Sequence, residues 1–120
     1  VQQLETRSGR FVYEAVIFAS QRWAAADQMM GVVGENEADK IATIRTLAPD
    51  HFFLVPGVGA QGGDLEAVSK AGMNSQCGLL VNSSRSIIYA SSKEDFADAA
   101  QKETQKIQQE MREYLDKFTG

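Results

Sequence analysis

Two polar loops carry the residues with the clearest chemistry, and each directly follows a short apolar run. The first loop, residues 56–64, is rich in glycine and contains Gln61; the second, residues 82–85, reads Asn-Ser-Ser-Arg. Glycines let main-chain N–H groups approach an anion closely, and Gln61 adds a neutral donor. Arg85 offers a planar set of donors suited to two phosphate oxygens, with the hydroxyls of Ser83 and Ser84 beside it. The pair of loops therefore predicts a phosphate site.

A purely structural interpretation is also open. A glycine-rich loop alone can be a simple turn, and Arg85 can be a solvated surface residue. Two such loops after consecutive strands, the second with Ser-Ser-Arg, favour the phosphate site. We therefore expect Gln61 and Arg85 to converge on one anion.

The elements that must position these loops follow from hydrophobic spacing. Apolar residues at three- and four-residue steps predict helices, and short apolar runs predict buried strands. The predicted order is helix 11–25, strand 29–33, helix 36–48, strand 52–55, helix 65–71, strand 78–81 and a long helix from about residue 94. Such alternation is typical of a parallel sheet, either an open doubly wound sheet or part of an eight-stranded barrel. Ligands of both architectures bind at the carboxyl ends of the strands, where the two loops lie.

Several details of this prediction can be compared with a structure. The first helix should bury a stripe that includes Val16 and Trp23, and the long helix a stripe that begins at Phe96. The first strand should be covered on both faces. Asn36 and Asp64 should cap the helices that follow them. Residues 82–85 should form a loop, followed by a hydrophobic turn at 87–89.

Composition limits the possible partners. The chain has 120 residues, 43% of them hydrophobic and 23% charged, which is ordinary for a folded domain. A net charge of −4 argues against nucleic acid as a partner, because affinity for a polyanion needs clustered cations. No leader or membrane-spanning run is present, and we expect no membrane association. The first residue is Val1, and we expect the chain to start within a longer protein.

The remaining reactive residues point to structure. Cys77 is the one cysteine and has no Cys or His companions at metal-ligand spacing, so we expect a reducing, cytoplasmic setting, no metal site and packing of Cys77 as a small apolar group. His51 is the one histidine and has no obvious nucleophile nearby. We interpret it as a loop residue.

Residues 53–64 and 78–90 together closely resemble the bacterial type 2 branch of the orotidine 5′-monophosphate decarboxylases. The resemblance extends along most of the chain. It implies the C-terminal portion, strands six to eight with their helices, of an eight-stranded α/β TIM barrel, so that residues 1–120 would be one incomplete part of a single domain. The family is normally homodimeric, and it converts orotidine 5′-monophosphate to UMP and carbon dioxide without metal or organic cofactor.

The resemblance also implies roles for individual residues. Gln61 would grip the phosphate and the pyrimidine side, Arg85 would bind the phosphate, and Pro56 would line the base pocket. Gly62, Ser83 and Ser84 would be supporting donors. The family's chemistry depends on a Lys/Asp array with an Asp-x-Lys-x-x-Asp motif, and no stretch of this chain matches it. We therefore expect no catalytic residue here and place that array upstream, in a missing N-terminal part of the barrel.

Three interpretations remain open from the sequence. The chain is part of a decarboxylase and is inactive alone; or it is a noncatalytic phosphate-binding or self-assembling half-barrel module; or it belongs to another phosphate-binding barrel, such as an epimerase or a tryptophan-pathway synthase. The combination of the Gln61 loop with the Arg85 loop favours the decarboxylase over the last. Because three strands leave two unpaired edges and an apolar face, we also expect a homo-oligomer.

Overall fold

A computed structural model describes residues 3–34, 38–58 and 64–119. Helices and strands alternate through β3, as the hydrophobic spacing predicts, and two helices follow. The elements are α1 (Val12–Ser20), β1 (Met30–Val32), α2 (Ala38–Leu47), β2 (Phe52–Pro56), α3 (Leu65–Gly72), β3 (Leu79–Asn82), α4 (Ser84–Ile88) and α5 (Phe96–Thr119). Within these ranges no helix is long and apolar enough to cross a membrane.

The three strands form one parallel sheet in the order β1-β2-β3. Gly31, Phe53 and Leu79 are direct partners across it, as are Val32, Leu54 and Leu80. Because successive side chains of a strand point to opposite faces, these two rows lie on opposite faces of the sheet. The parallel α/β class predicted from the sequence is confirmed.

Within the described part of the chain, helices cover only one face of the sheet. Phe53 and Leu79 are 3% and 4% exposed and belong to a core shared with Ile41 and Ile44 of α2 and Val68 of α3. On the other face, Val32 and Leu80 are 71% and 55% exposed. The prediction that the first strand is covered on both faces is therefore wrong for this chain, because α2 and α3 pack against one side alone. We call the other side, with Met30, Val32, Leu54 and Leu80, the open face.

Local capping explains part of the helix boundaries. The Asp64 side chain accepts hydrogen bonds from Glu66 N (3.0 Å) and Ala67 N (3.3 Å), and so caps α3 as predicted. Asn36, the predicted cap of α2, lies outside the described residues.

Three helix predictions need correction. α1 ends at Ser20 instead of continuing to residue 25, and Trp23 in the turn after it is 69% exposed. Phe96 is 62% exposed, because the stripe of α5 that packs on the core lies further along, at Ile107 and Met111. Finally, the predicted loop at 82–85 and turn at 87–89 are largely replaced by the short helix α4, which Ser83 precedes and Tyr89 follows.

Arg45 holds the end of the sheet where β2 and β3 begin. Its guanidinium stacks over the ring of Phe53, 4.2 Å from the centroid. It also donates to five main-chain carbonyl oxygens, those of Ala48, Pro49, His51, Gly72 and Gly78, at 2.6–3.2 Å. Burial lowers the pKa of Arg45, and the nearby Asp50 acts in the opposite direction. One side chain thus joins the ends of α2 and α3 to the starts of two strands.

Candidate phosphate site

The two predicted loops leave the sheet side by side. Pro56, the last residue of β2, is the register partner of Asn82, the last residue of β3. Just beyond that pair, Gly57 N donates to Asn82 O at 3.0 Å. Since side chains alternate along a strand, Pro56 and Asn82 lie on the open face, two residues beyond Leu54 and Leu80. The carboxyl ends of the two strands therefore form one polar edge.

Ser83 fastens the two loops together. Its hydroxyl donates to Val58 O at 2.6 Å, and the two residues are 4% and 3% exposed. The Ser83 hydroxyl also contacts the Ser86 hydroxyl, which lies one helical turn further on. A buried hydroxyl bound to a carbonyl is costly to disrupt, so this contact fixes Val58 next to Ser83. The side chain of Ser83 thus points toward Val58, and the residue directly precedes the first turn of α4.

Arg85 and Ser84 occupy the first turn of α4 and are both exposed. The Ser84 hydroxyl donates to Asn82 Oδ1 at 3.0 Å. Among residues 3–34, 38–58 and 64–119, the Arg85 side chain has no hydrogen-bond or ion-pair partner. Its five N–H donors are therefore not engaged by the described part of the chain.

The structure brings some of the predicted site residues together. Pro56, Ser83, Ser84 and Arg85 lie at one edge of the sheet, on the ends of adjacent strands or directly after them. Gln61 and Gly62 lie outside the described residues, although Val58 and Asp64 on either side are placed.

Residues that sequence reasoning did not single out also matter here. Val58 and Ser86 bind Ser83, but neither residue type signals such a contact in a sequence. Arg45 gave no signal either, since its partners are carbonyls up to 33 residues away. No group of three or more His, Cys, Asp or Glu able to hold a metal ion occurs in the described part of the chain.

A three-stranded parallel sheet with helices on one face and a polar edge at its carboxyl ends is the architecture of a segment of an α/β barrel. No family model matches the chain. The orotidine 5′-phosphate decarboxylase of Parabacteroides distasonis is 52% identical over 114 residues, which are 95% of this chain and 41% of that protein. The same enzyme of Phocaeicola vulgatus is 50% identical, with 95% of this chain and 42% of that protein covered.

Solved structures agree with these relatives. The OMP decarboxylase of Leishmania donovani superposes with a TM-score of 0.72 at 31% identity, covering 92% of this chain and 42% of that one. The chain is homologous to part of orotidine 5′-phosphate decarboxylase, and its fold is a segment of that enzyme's TIM barrel. It spans about two fifths of the length of the curated relatives that it matches.

Proposed function

We propose that this chain is the C-terminal part of a cytoplasmic orotidine 5′-monophosphate decarboxylase, which forms UMP and carbon dioxide, and that it supplies the grip on the substrate's phosphate. Its strands β1, β2 and β3 would be the sixth, seventh and eighth of the barrel, and residues 1–120 would be one portion of that single domain. The homology supports the enzyme class.

The observation that carries the phosphate role is the buried bond from Ser83 to Val58 O. It holds Val58, two residues after β2, against Ser83, which directly precedes α4. Arg85 then projects from a fixed base, with its guanidinium exposed. Phosphate sites of α/β barrels are frequently built from the loops after strands seven and eight together with a short extra helix, which is the arrangement of these elements.

Each site residue has a separate role in this proposal. Arg85 forms charge-assisted bonds to two phosphate oxygens, and Ser84 adds a hydroxyl. Ser83 contributes its main-chain N–H and the link to Val58. Gln61 and Gly62 close the site from the loop after β2, and Pro56 lines the base pocket on the open face. No residue of this chain performs the carbon–carbon bond cleavage; the Lys/Asp array that does so belongs to the remainder of the barrel, and no metal or organic cofactor takes part.

A phosphate grip distant from the reacting carbon still raises the rate. Binding energy from a part of the substrate that does not react can be used to hold the reacting part in its transition-state environment. Loss of that grip should therefore lower kcat/KM for the nucleotide much more than for a substrate that lacks the phosphate.

The proposal is tested by Arg85→Ala in the full-length polypeptide. We expect kcat/KM for orotidine 5′-monophosphate to fall by about 100-fold or more, since losing one partner of a charged pair commonly costs about 3–5 kcal/mol when buried and less when exposed. Arg85→Lys should recover part of the loss, because the charge remains but the planar fork does not. Each variant is assayed by the decrease in absorbance, once with orotidine 5′-monophosphate and once with the dephosphorylated nucleoside.

Arg112→Ala is the matched control, because it removes an exposed arginine from α5. It should leave kcat/KM unchanged for both the nucleotide and the nucleoside. Equal losses on the nucleotide and the nucleoside in Arg85→Ala would contradict the proposal and assign Arg85 to the support of the fold.

A further inference from the structure

Asn82, the last residue of β3, brings a polar side chain to the open face. Leu80 precedes it on the same face of the strand, and Pro56 is its register partner on β2. Asn82 is exposed, and its side chain points to the side of the sheet that α2 and α3 leave uncovered. A carboxamide thus lies at the carboxyl end of an otherwise apolar surface.

The Ser84 hydroxyl fixes the orientation of this carboxamide. It donates its single hydrogen to Asn82 Oδ1 at 3.0 Å. Because the oxygen and the nitrogen of an amide point in different directions, this contact turns Asn82 Nδ2 away from Ser84. It also refines the role of Ser84, since a hydrogen donated to Asn82 is not free for a phosphate.

The two hydrogens on Asn82 Nδ2 are not used within the described part of the chain. Across residues 3–34, 38–58 and 64–119, this nitrogen has no hydrogen-bond partner. In the barrel proposed above, the open face turns toward the barrel interior. A donor enclosed there without an acceptor costs free energy, and native proteins rarely leave one so. The amide therefore needs an acceptor from outside this chain.

The position of Asn82 identifies this acceptor. Side chains at the carboxyl ends of barrel strands face the ligand, whereas those further back fill the packed interior. Neighbouring strands lie about 4.8 Å apart, so Asn82 is adjacent to Pro56, which lines the base pocket in the proposed function. Arg85, the proposed phosphate residue, follows three residues later. The group that joins the base of a nucleotide to its phosphate is the ribose, whose oxygens accept hydrogen bonds.

We infer that Asn82 is a further substrate-binding residue whose Nδ2 donates to an oxygen of the ribose, and that Ser84 is the positioning residue that directs Nδ2 there. The inference rests on the proposed function. It deepens that function by assigning the sugar, which neither the phosphate grip nor the base pocket accounts for, to a side chain of β3.

The test compares three ligands that share parts of the nucleotide, each with the full-length polypeptide. Dissociation constants are measured by calorimetry for UMP and by displacement of UMP for ribose 5-phosphate and inorganic phosphate. Asn82→Leu replaces the carboxamide by an apolar group of similar shape, next to leucines on the same face. We expect it to weaken UMP and ribose 5-phosphate by about tenfold each, since both contain the sugar, and to leave inorganic phosphate unchanged.

Further variants separate sugar binding from a general effect on the fold. Asn82→Ala, which only removes atoms, should weaken the same two ligands, with an unchanged circular dichroism spectrum. Ser84→Ala leaves the carboxamide free to turn, so it should weaken UMP by about threefold in the unmodified protein and not at all in Asn82→Leu. Gln109→Leu removes an exposed carboxamide from α5 and should alter none of the three constants.

Unchanged binding of UMP in both Asn82 variants would overturn the inference. So would a loss that extends to inorganic phosphate, which would assign Asn82 to the phosphate, or one confined to UMP, which would assign it to the base. Additive losses in Asn82→Leu and Ser84→Ala would overturn the positioning role of Ser84. Failure of the proposed function appears elsewhere, as unchanged binding of inorganic phosphate in Arg85→Ala, and leaves the comparison at Asn82 intact.

Discussion

Two arginines lie at opposite ends of the sheet and meet opposite surroundings. Arg85 follows the carboxyl end of β3 and is exposed, whereas Arg45 lies where β2 and β3 begin and is surrounded by carbonyl oxygens. The same side-chain chemistry, a planar fork of donors, suits an external anion in one place and the chain's own backbone in the other. Surroundings therefore decide that the Arg45 guanidinium is engaged by main-chain carbonyls, whereas that of Arg85 is exposed.

Replacement of Arg45 should be the most destabilising change to a polar residue of the described chain. Arg45→Ala leaves five carbonyl oxygens without their donor and removes the contact with Phe53. We expect the free energy of unfolding to fall by about 3 kcal/mol or more, since single bonds to charged groups are worth about 1.5–3 kcal/mol. Urea denaturation followed by circular dichroism measures it.

Arg45→Lys provides the informative comparison, because an ammonium has three donors on one atom and cannot replace the three nitrogens that reach these five carbonyls. It should recover less than half of the loss, and Arg112→Ala should cost almost nothing. A lysine variant as stable as the unmodified chain would show that charge, and not the fork, is what matters.

At the scale of elements, α2 and α3 approach each other closely where α3 ends. A Cβ atom added to Gly72 would lie 2.9 Å from Ile41 Cγ2 and 3.0 Å from Leu79 Cδ2. Ile41 is fully buried and Leu79 nearly so, so neither can move without disturbing the core. Glycine at this position is therefore required by packing.

Gly72→Ala should destabilise the chain although alanine is the better helix former. Overpacking costs about 1–3 kcal/mol, whereas the gain in helix propensity is at most about 1 kcal/mol and shrinks at a helix end. We expect a lower urea midpoint. Ser69→Ala in the same helix is the control: Ser69 is fully buried and its hydroxyl has no partner among the described residues, so its removal should not reduce stability. A Gly72→Ala midpoint at or above that of the unmodified chain would refute the packing argument.

At the scale of the whole molecule, the open face governs association. Leu80 of the edge strand β3 lies on this face, 55% exposed, beside Leu54 on the central strand β2. We expect the isolated chain to self-associate at micromolar concentration, and Leu80→Lys to shift it toward the 13.1 kDa monomer. Light scattering measures both. A monodisperse monomer without the substitution would contradict this expectation.

The isolated chain should also lack decarboxylase activity. It holds the proposed phosphate edge, but no stretch of its sequence matches the Lys/Asp motif of the family. Absorbance at micromolar protein should show no turnover of orotidine 5′-monophosphate above that of Arg85→Ala prepared in the same way. Turnover that disappears in Arg85→Ala would place catalytic groups within these 120 residues.

The sequence by itself determined the alternation of helices and strands through β3, the long last helix, the parallel sheet and the Asp64 cap. These features depend on the spacing of apolar residues and on contacts within one helical turn, both of which can be recognised along the chain. It also placed Pro56 and Arg85 at the same end of the sheet, because the carboxyl ends of parallel strands lie together.

The tertiary structure alone decided how the two ends of the sheet are held. The bond from Ser83 to Val58 spans 25 residues and those of Arg45 up to 33, distances over which local pattern carries no information. It also decided that β1 is covered on one side and that His51 is buried beside a groove, since exposure depends on which helices pack where. The short helix α4 belongs here as well: its five residues are too few for a hydrophobic period to appear, and the contact of Ser83 with Val58 and Ser86 supports its first turn.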